Sequence, residues 1–213
     1  VDNGISSIEG VALARQKGIK VLITDHHLSG EKLPAADAIV NPNQPGCQFP
    51  SKYLAGVGVA FYVLSALRSR LRSMHWFEQK NIDEPRMADF LDLVALGTVA
   101  DVVTLDYNNR IVVNEGLRRI RAGRSRTGIM ALLEITRRDS EHLVAADLAF
   151  AVGPRLNAAG RLKDMSLGIE CLLSEDLAQA RDLARRLNEL NDDRRAIEAE
   201  MREQASAYLE DFS

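Results

Sequence analysis

The run Lys20-Val21-Leu22-Ile23-Thr24 is short, apolar and rich in β-branched residues, and it is closed by Asp25-His26-His27. Such a run forms a strand, and the ionisable residues that end it mark the place where the chain leaves the interior. In open α/β sheets that strand end is where ligands bind. A second short strand is predicted over Ala38-Ile39-Val40, before the turn-rich Asn41-Pro42-Asn43-Gln44-Pro45-Gly46. Ahead of the first strand, Ser6 and Glu9 have the spacing of a capping box, which predicts a short helix ending at Gly18. Helix, strand and strand in this order imply a parallel sheet.

From Leu54 the pattern changes to a helical period, with Val57, Phe61, Leu64, Leu67 and Leu71 predicted to form one buried face. Gly56 and Gly58 at its start allow close backbone approach, either to a neighbouring helix or to a ligand. Further helices are predicted over 87–96, 110–122, 128–137, 145–152 and up to Leu173. A long one begins at Ser174-Glu175-Asp176, with a stripe through Leu183, Leu187, Leu190, Arg194, Ile197, Met201, Tyr208 and Phe212. The expected fold class is α/β: a parallel-sheet domain within 1–173 that becomes mostly helical, then a connector helix over 174–213. Val1 reads as the last step of a strand, and the C-terminus falls inside a helical pattern. The sequence therefore reads as a piece of a longer chain, with an unpaired sheet edge and marginal stability.

The chemistry lies in carboxylates and imidazoles. Asp2 stands just before Gly4, and Asp101 follows the apolar stretch from Leu91 to Ala100, where Gly97 and Ala100 leave room for backbone. Asp2, His26 and Asp101 make a plausible set of metal ligands. Carboxylate plus imidazole without thiolate suits a hard or borderline divalent cation such as Mn²⁺ or Mg²⁺ rather than a structural zinc. Cys47 and Cys171 are far apart and in no metal-binding spacing, so they read as reduced thiols of a cytoplasmic protein. With 46% hydrophobic and 27% charged residues the chain can bury a core, and no apolar stretch is long enough for a membrane span.

A net charge of −3 does not announce a nucleic-acid binder, but its distribution is uneven. Arg118 to Arg126 holds five arginines and no acid, fit to neutralise phosphates or to decorate a solvated helix end. Arg137-Arg138 and Arg185-Arg186 are smaller clusters. In Gly153-Pro154-Arg155-Leu156-Asn157-Ala158-Ala159-Gly160-Arg161, small residues would let a phosphodiester approach two guanidinium groups and an amide. A helix break with salt-bridging arginines explains the same residues.

Taken together, Val1-Asp2-Asn3-Gly4-Ile5-Ser6, Thr24-Asp25-His26-His27, Leu54 to Ala60, Ala95 to Asp101 and Gly153 to Arg161 resemble successive motifs of the DHH phosphoesterases. The likeness is closest to the bacterial members that degrade single-stranded DNA from 5′ to 3′, and it covers nearly the whole chain in order. The resemblance implies that Asp2 bridges two metal ions and that His26 and Asp101 complete one of them. It implies that Asp25 and His27 support the site or touch the scissile phosphate. It also implies that Arg161, with Arg155 and Asn157, binds substrate and offsets charge on phosphorus. The family's earlier Asp-containing motif has no counterpart here, so the chain alone is expected to hold one ion poorly and to be inactive. Single-stranded DNA is the implied partner of a monomer, with a single-strand-binding protein and a recombination helicase as candidate protein partners. Two other functions are compatible with these motifs: a phosphoesterase acting on short oligonucleotides or dinucleotides, and a metal-free replication scaffold.

Overall fold

In the computed structural model, which describes residues 1–210, the β-branched run forms β1 (Leu22–Thr24) and the second run forms β2 (Ala38–Val40). They pair in parallel, Leu22 with Ala38, Ile23 with Ile39 and Thr24 with Val40, and the Asp25 N–H extends the ladder to the Val40 carbonyl at 3.1 Å. Asp25-His26-His27 therefore leaves the carboxyl end of the sheet. The first helix, α1 (Ile8–Gln16), follows a 3-10 turn at Gly4–Ser6. The predicted capping box does not form: Ser6 belongs to the 3-10 turn, and Ser7, the residue before α1, makes no side-chain cap.

The remaining elements are helical. The α-helices among them are α2 (Gly56–Ser73), α3 (Trp76–Lys80), α4 (Leu91–Ala100), α5 (Tyr107–Arg121), α6 (Thr127–Ile135), α7 (Ala145–Asp147), α8 (Gly153–Leu162), α9 (Ser166–Leu173) and α10 (Leu177–Glu210). The α/β class holds: a small parallel sheet is followed by helices. Among the described residues no helix is long and apolar enough to cross a membrane.

The chain divides into two compact units, Val1–Arg118 and Arg119–Ser213, with the cut inside α5 rather than at residue 173. In the first unit Ile5, Val11, Ile23, Leu54, Val59, Val94, Leu96 and Val113 are buried. Helices α2 and α4 cross closely at Gly97, where an added Cβ would lie 2.7 Å from Val57 Cγ1. The predicted buried face of α2 is only partly buried. Leu64 and Leu67 are about half exposed and, with Leu71, Phe77, Pro85, Met87 and Phe90, line a cavity of about 160 Å³. Helical periodicity aligns residues on a face but does not provide an element to cover it.

In the second unit α10 packs on α6, α8 and α9, which explains why the boundary precedes these helices. The Asp176 carboxylate caps α10 by accepting the Gln179 N–H at 2.7 Å. Leu183, Leu187 and Leu190 are buried, whereas Ile197, Met201 and Tyr208 are exposed. Phe212 of the stripe lies outside the described residues.

Candidate metal centre

Asp2 reaches the end of β1 because its N–H donates to the Thr24 carbonyl at 2.9 Å. Asp2 and Asn3 both have left-handed backbone, with φ of 58° and 55°. This turn can lie over the strand only because residue 4 is glycine: a Cβ there would approach Ile23 Cγ2 to 2.9 Å. Asp101 closes α4, its N–H bonded to the Gly97 carbonyl at 3.0 Å. Three elements distant in sequence thus deliver their side chains to one point.

That point is His26 Nε2, which lies 3.3 Å from Asp2 Oδ1 and 3.4 Å from Asp101 Oδ2. A neutral imidazole carries one N–H and cannot satisfy two carboxylates from one nitrogen. The Asp101 carboxyl has its pKa raised, chiefly by desolvation and further by the charge of Asp2, with His26 and His27 opposing. Two acids held against one ring nitrogen are the arrangement that a divalent cation relieves, and the donors fit such an ion. Among the described residues, the ligand atoms that all lie within 4.8 Å of one another are those of Asp2, His26 and His27, while Asp101 joins the group through its contact with His26.

His27 is held differently. Its Nδ1 is 2.8 Å from Asp25 Oδ1 and 3.4 Å from Asp2 Oδ1. The shorter contact gives the Nδ1 proton to Asp25 and leaves the lone pair on Nε2. That bond is the main reason why the His27 pKa is raised. Asp25 is fully buried. Burial raises its pKa, but N–H groups of Ile5 (2.7 Å), His26 (2.7 Å) and His27 (3.0 Å) and the His27 ring together outweigh it and hold the carboxyl at about 2. Of the roles that the resemblance allows Asp25, support or phosphate contact, this enclosed carboxylate has room only for support.

The loop after β2 clamps the histidines. Asn41 Nδ2 donates to the His27 carbonyl at 2.9 Å, and Asn43 Nδ2 donates to the His26 carbonyl at 2.6 Å. Asn41 Oδ1 accepts the Asn43 N–H at 2.8 Å. The sequence marks this segment only as a turn. The available signal was the pair of asparagines two residues apart just after a strand, which is the spacing of an Asx turn. At the start of α2, a Cβ on Gly56 would lie 3.4 Å from Asp2 Oδ1, so the ligand alternative for this glycine has a structural basis. Gly58 meets only Leu54 and serves packing.

Arg155, Asn157 and Arg161 lie on α8, in the second unit. The Arg155 guanidinium is committed within that unit to Asn188 Oδ1 at 2.9 Å and the Ala151 carbonyl at 2.6 Å. Asn157 and Arg161 are exposed. In the Arg118–Arg126 run, Arg118 pairs with Glu115, and Arg121 donates twice to the Leu143 carbonyl, at 2.8 and 2.6 Å. The helix-end reading therefore accounts for part of this run.

Comparison with known proteins agrees with this geometry. The DHH family N-terminal domain matches residues 1–98. The single-stranded-DNA-specific exonuclease RecJ of Dickeya dadantii is 62% identical over 205 residues, covering 96% of this chain and 36% of that protein. The chain belongs to the DHH family. RecJ of Thermus thermophilus, solved in complex with Mn²⁺, superposes on this DHH chain with a TM-score of 0.76 at 34% identity, covering 94% of this chain and 28% of that one. Its Mg²⁺ complex gives 0.66, also at 34% identity, over 86% and 26%. The chain spans about a third of the length of the curated relatives it matches.

Proposed function

We propose that this chain carries the metal centre of a RecJ-type exonuclease that hydrolyses single-stranded DNA from the 5′ end and releases 5′-mononucleotides in cytoplasmic DNA repair and recombination. The observation that carries the proposal is the convergence of Asp2 and Asp101 on His26 Nε2, at 3.3 and 3.4 Å, within a chain 62% identical to a RecJ. Asp2, His26 and Asp101 would hold Mn²⁺ or Mg²⁺, which supplies activation of water and neutralisation of phosphate charge. His27, its Nδ1 proton engaged by Asp25, would orient the phosphate or pass a proton to the leaving 3′-oxygen when its ring carries a second proton on Nε2. Arg161 and Asn157, exposed on α8, would bind phosphate oxygens of the substrate strand. Arg155, committed to Asn188 and Ala151, acts by holding α8 in shape.

The test replaces the matched segment of the Dickeya dadantii relative with this chain and measures Mn²⁺-dependent release of nucleotides from 5′-labelled single-stranded DNA. The chimera is expected to be active, and Asp101→Ala and His26→Ala are expected to abolish release while circular dichroism shows that the fold is kept. A folded chimera without activity on single strands would overturn the reading. Cleavage of dinucleotides alone would favour the short-oligonucleotide phosphoesterase, and Mn²⁺-independent binding without cleavage would favour the scaffold.

A further inference from the structure

Helices α7 and α8 are joined by a π-helical turn at Leu148–Val152, so residues 145–162 run without a break. One side of this helix is buried, through Leu148, Ala151, Val152, Leu156 and Ala159. The other side carries Phe150, Asn157 and Arg161, all exposed, in the i, i+7, i+11 spacing that keeps residues on one face. Phe150 is 80% exposed. Among the described residues Arg161 has no ion-pair partner. Single exposed apolar residues are common, but this phenyl sits at a π turn, a local distortion that recurs at functional sites.

We propose that Phe150 is a stacking platform for an unpaired nucleobase, and that Asn157 and Arg161 hold the backbone of the same strand further along the helix face. The inference rests on the nucleic-acid reading above and names the group that would select single strands. A phenyl ring can stack on any base, but only on one freed from its duplex. At 1.5 Å per residue, the eleven residues from Phe150 to Arg161 span about 16 Å, so ring and guanidinium contact different nucleotides. This helix face therefore combines aromatic and cationic groups, a combination absent from the Arg118–Arg126 run, where no aromatic is interleaved.

The test compares binding of the chain to an oligothymidylate and to an abasic oligonucleotide of equal length, by fluorescence anisotropy over a salt series. Base stacking is worth roughly 5- to 150-fold in affinity. The unsubstituted chain is expected to prefer the base-bearing strand by a factor in that range. Phe150→Ala should erase the preference and leave the salt slope unchanged, and Phe150→Trp should restore it. An unchanged preference in Phe150→Ala, or a fall of several degrees in its melting temperature, would overturn the proposal. Equal binding of both strands by the unsubstituted chain would overturn it and leave the metal-centre reading standing. Binding of neither strand would count against both.

Discussion

His27 gives its Nδ1 proton to Asp25 across 2.8 Å, and Asp25 is closed off from water with both carboxylate oxygens engaged. The carboxylate thereby joins the turn at Ile5, the strand end and the imidazole next to the proposed metal ligands. It fixes the tautomer of His27, and through the backbone N–H groups of His26 and His27 it fixes the path of the loop that presents both rings.

Asp25→Asn should therefore weaken fold and site together. The amide keeps the shape but removes the charge, and its NH₂ must face a donor it cannot accept. Bonds to charged acceptors are worth about 1.5–3 kcal/mol each, so a loss of about 2–4 kcal/mol in stability is expected, read as a lower urea midpoint at constant m. Mn²⁺ affinity by calorimetry should fall roughly 10- to 100-fold. An unchanged midpoint would show that the network is not structural.

Val102 follows Asp101 with φ of 58° and is 86% exposed. A β-branched residue in left-handed backbone is strained by about 1–3 kcal/mol, and this one buries nothing in return. Val102→Asn, with a side chain that tolerates the conformation, should raise stability by about 1 kcal/mol, or about 2–4 °C in melting temperature. A lower melting temperature would contradict the strain argument.

The strands and the ionisable residues at their ends could be read from the sequence because β-branched runs and abrupt polar stops are local signals. β2 spans the residues read for it, and the structure brings Asp2, His26 and Asp101 to one point although Asp101 lies 75 positions beyond His26. What could not be read depends on contacts that leave no local trace. The Ser6–Glu9 spacing matches a capping box, but the turn imposed by Asp2, Asn3 and Gly4 places Ser6 in a 3-10 turn. Leu64 and Leu67 keep helical period yet stay about half exposed. The clamps from Asn41 and Asn43 are tertiary, as is the packing of α10 that moves the boundary to Arg118.

Cys171 gives a pH dependence whose sign follows from burial. The thiol is fully buried, and desolvation pushes its pKa from 9.0 up to about 11. A folded-state pKa above the unfolded one means that the folded chain holds the proton more tightly. This contribution to stability is complete below pH 9 and is lost as pH rises from 9 to 11, by about 2–3 kcal/mol. Cys171→Ala should lose that part of the alkaline slope in urea titrations. A thiol reagent at pH 8 should modify Cys47, which is partly accessible, and spare Cys171.

Arg121 and Arg124 belong to one basic run but should respond differently to substitution. Arg121 Nε and Nη2 both donate to the Leu143 carbonyl, at 2.8 and 2.6 Å, fastening the end of α5 to the segment before α7. Arg124 is exposed, in the loop after α5. Arg121→Ala should lower stability by about 1–3 kcal/mol, because it removes two charge-assisted bonds from one carbonyl. Lysine at this position should recover only part of that loss, since a single ammonium cannot reproduce the fork of two guanidinium N–H groups. Arg124→Ala should leave stability within about 0.5 kcal/mol. If the exposed arginine instead neutralises a phosphate, its loss should reduce the salt slope of single-strand binding by about 0.7. Equal loss of stability in both alanine variants would mean that the run acts structurally as a whole, and no loss in either would show that the Leu143 contact contributes nothing to the fold.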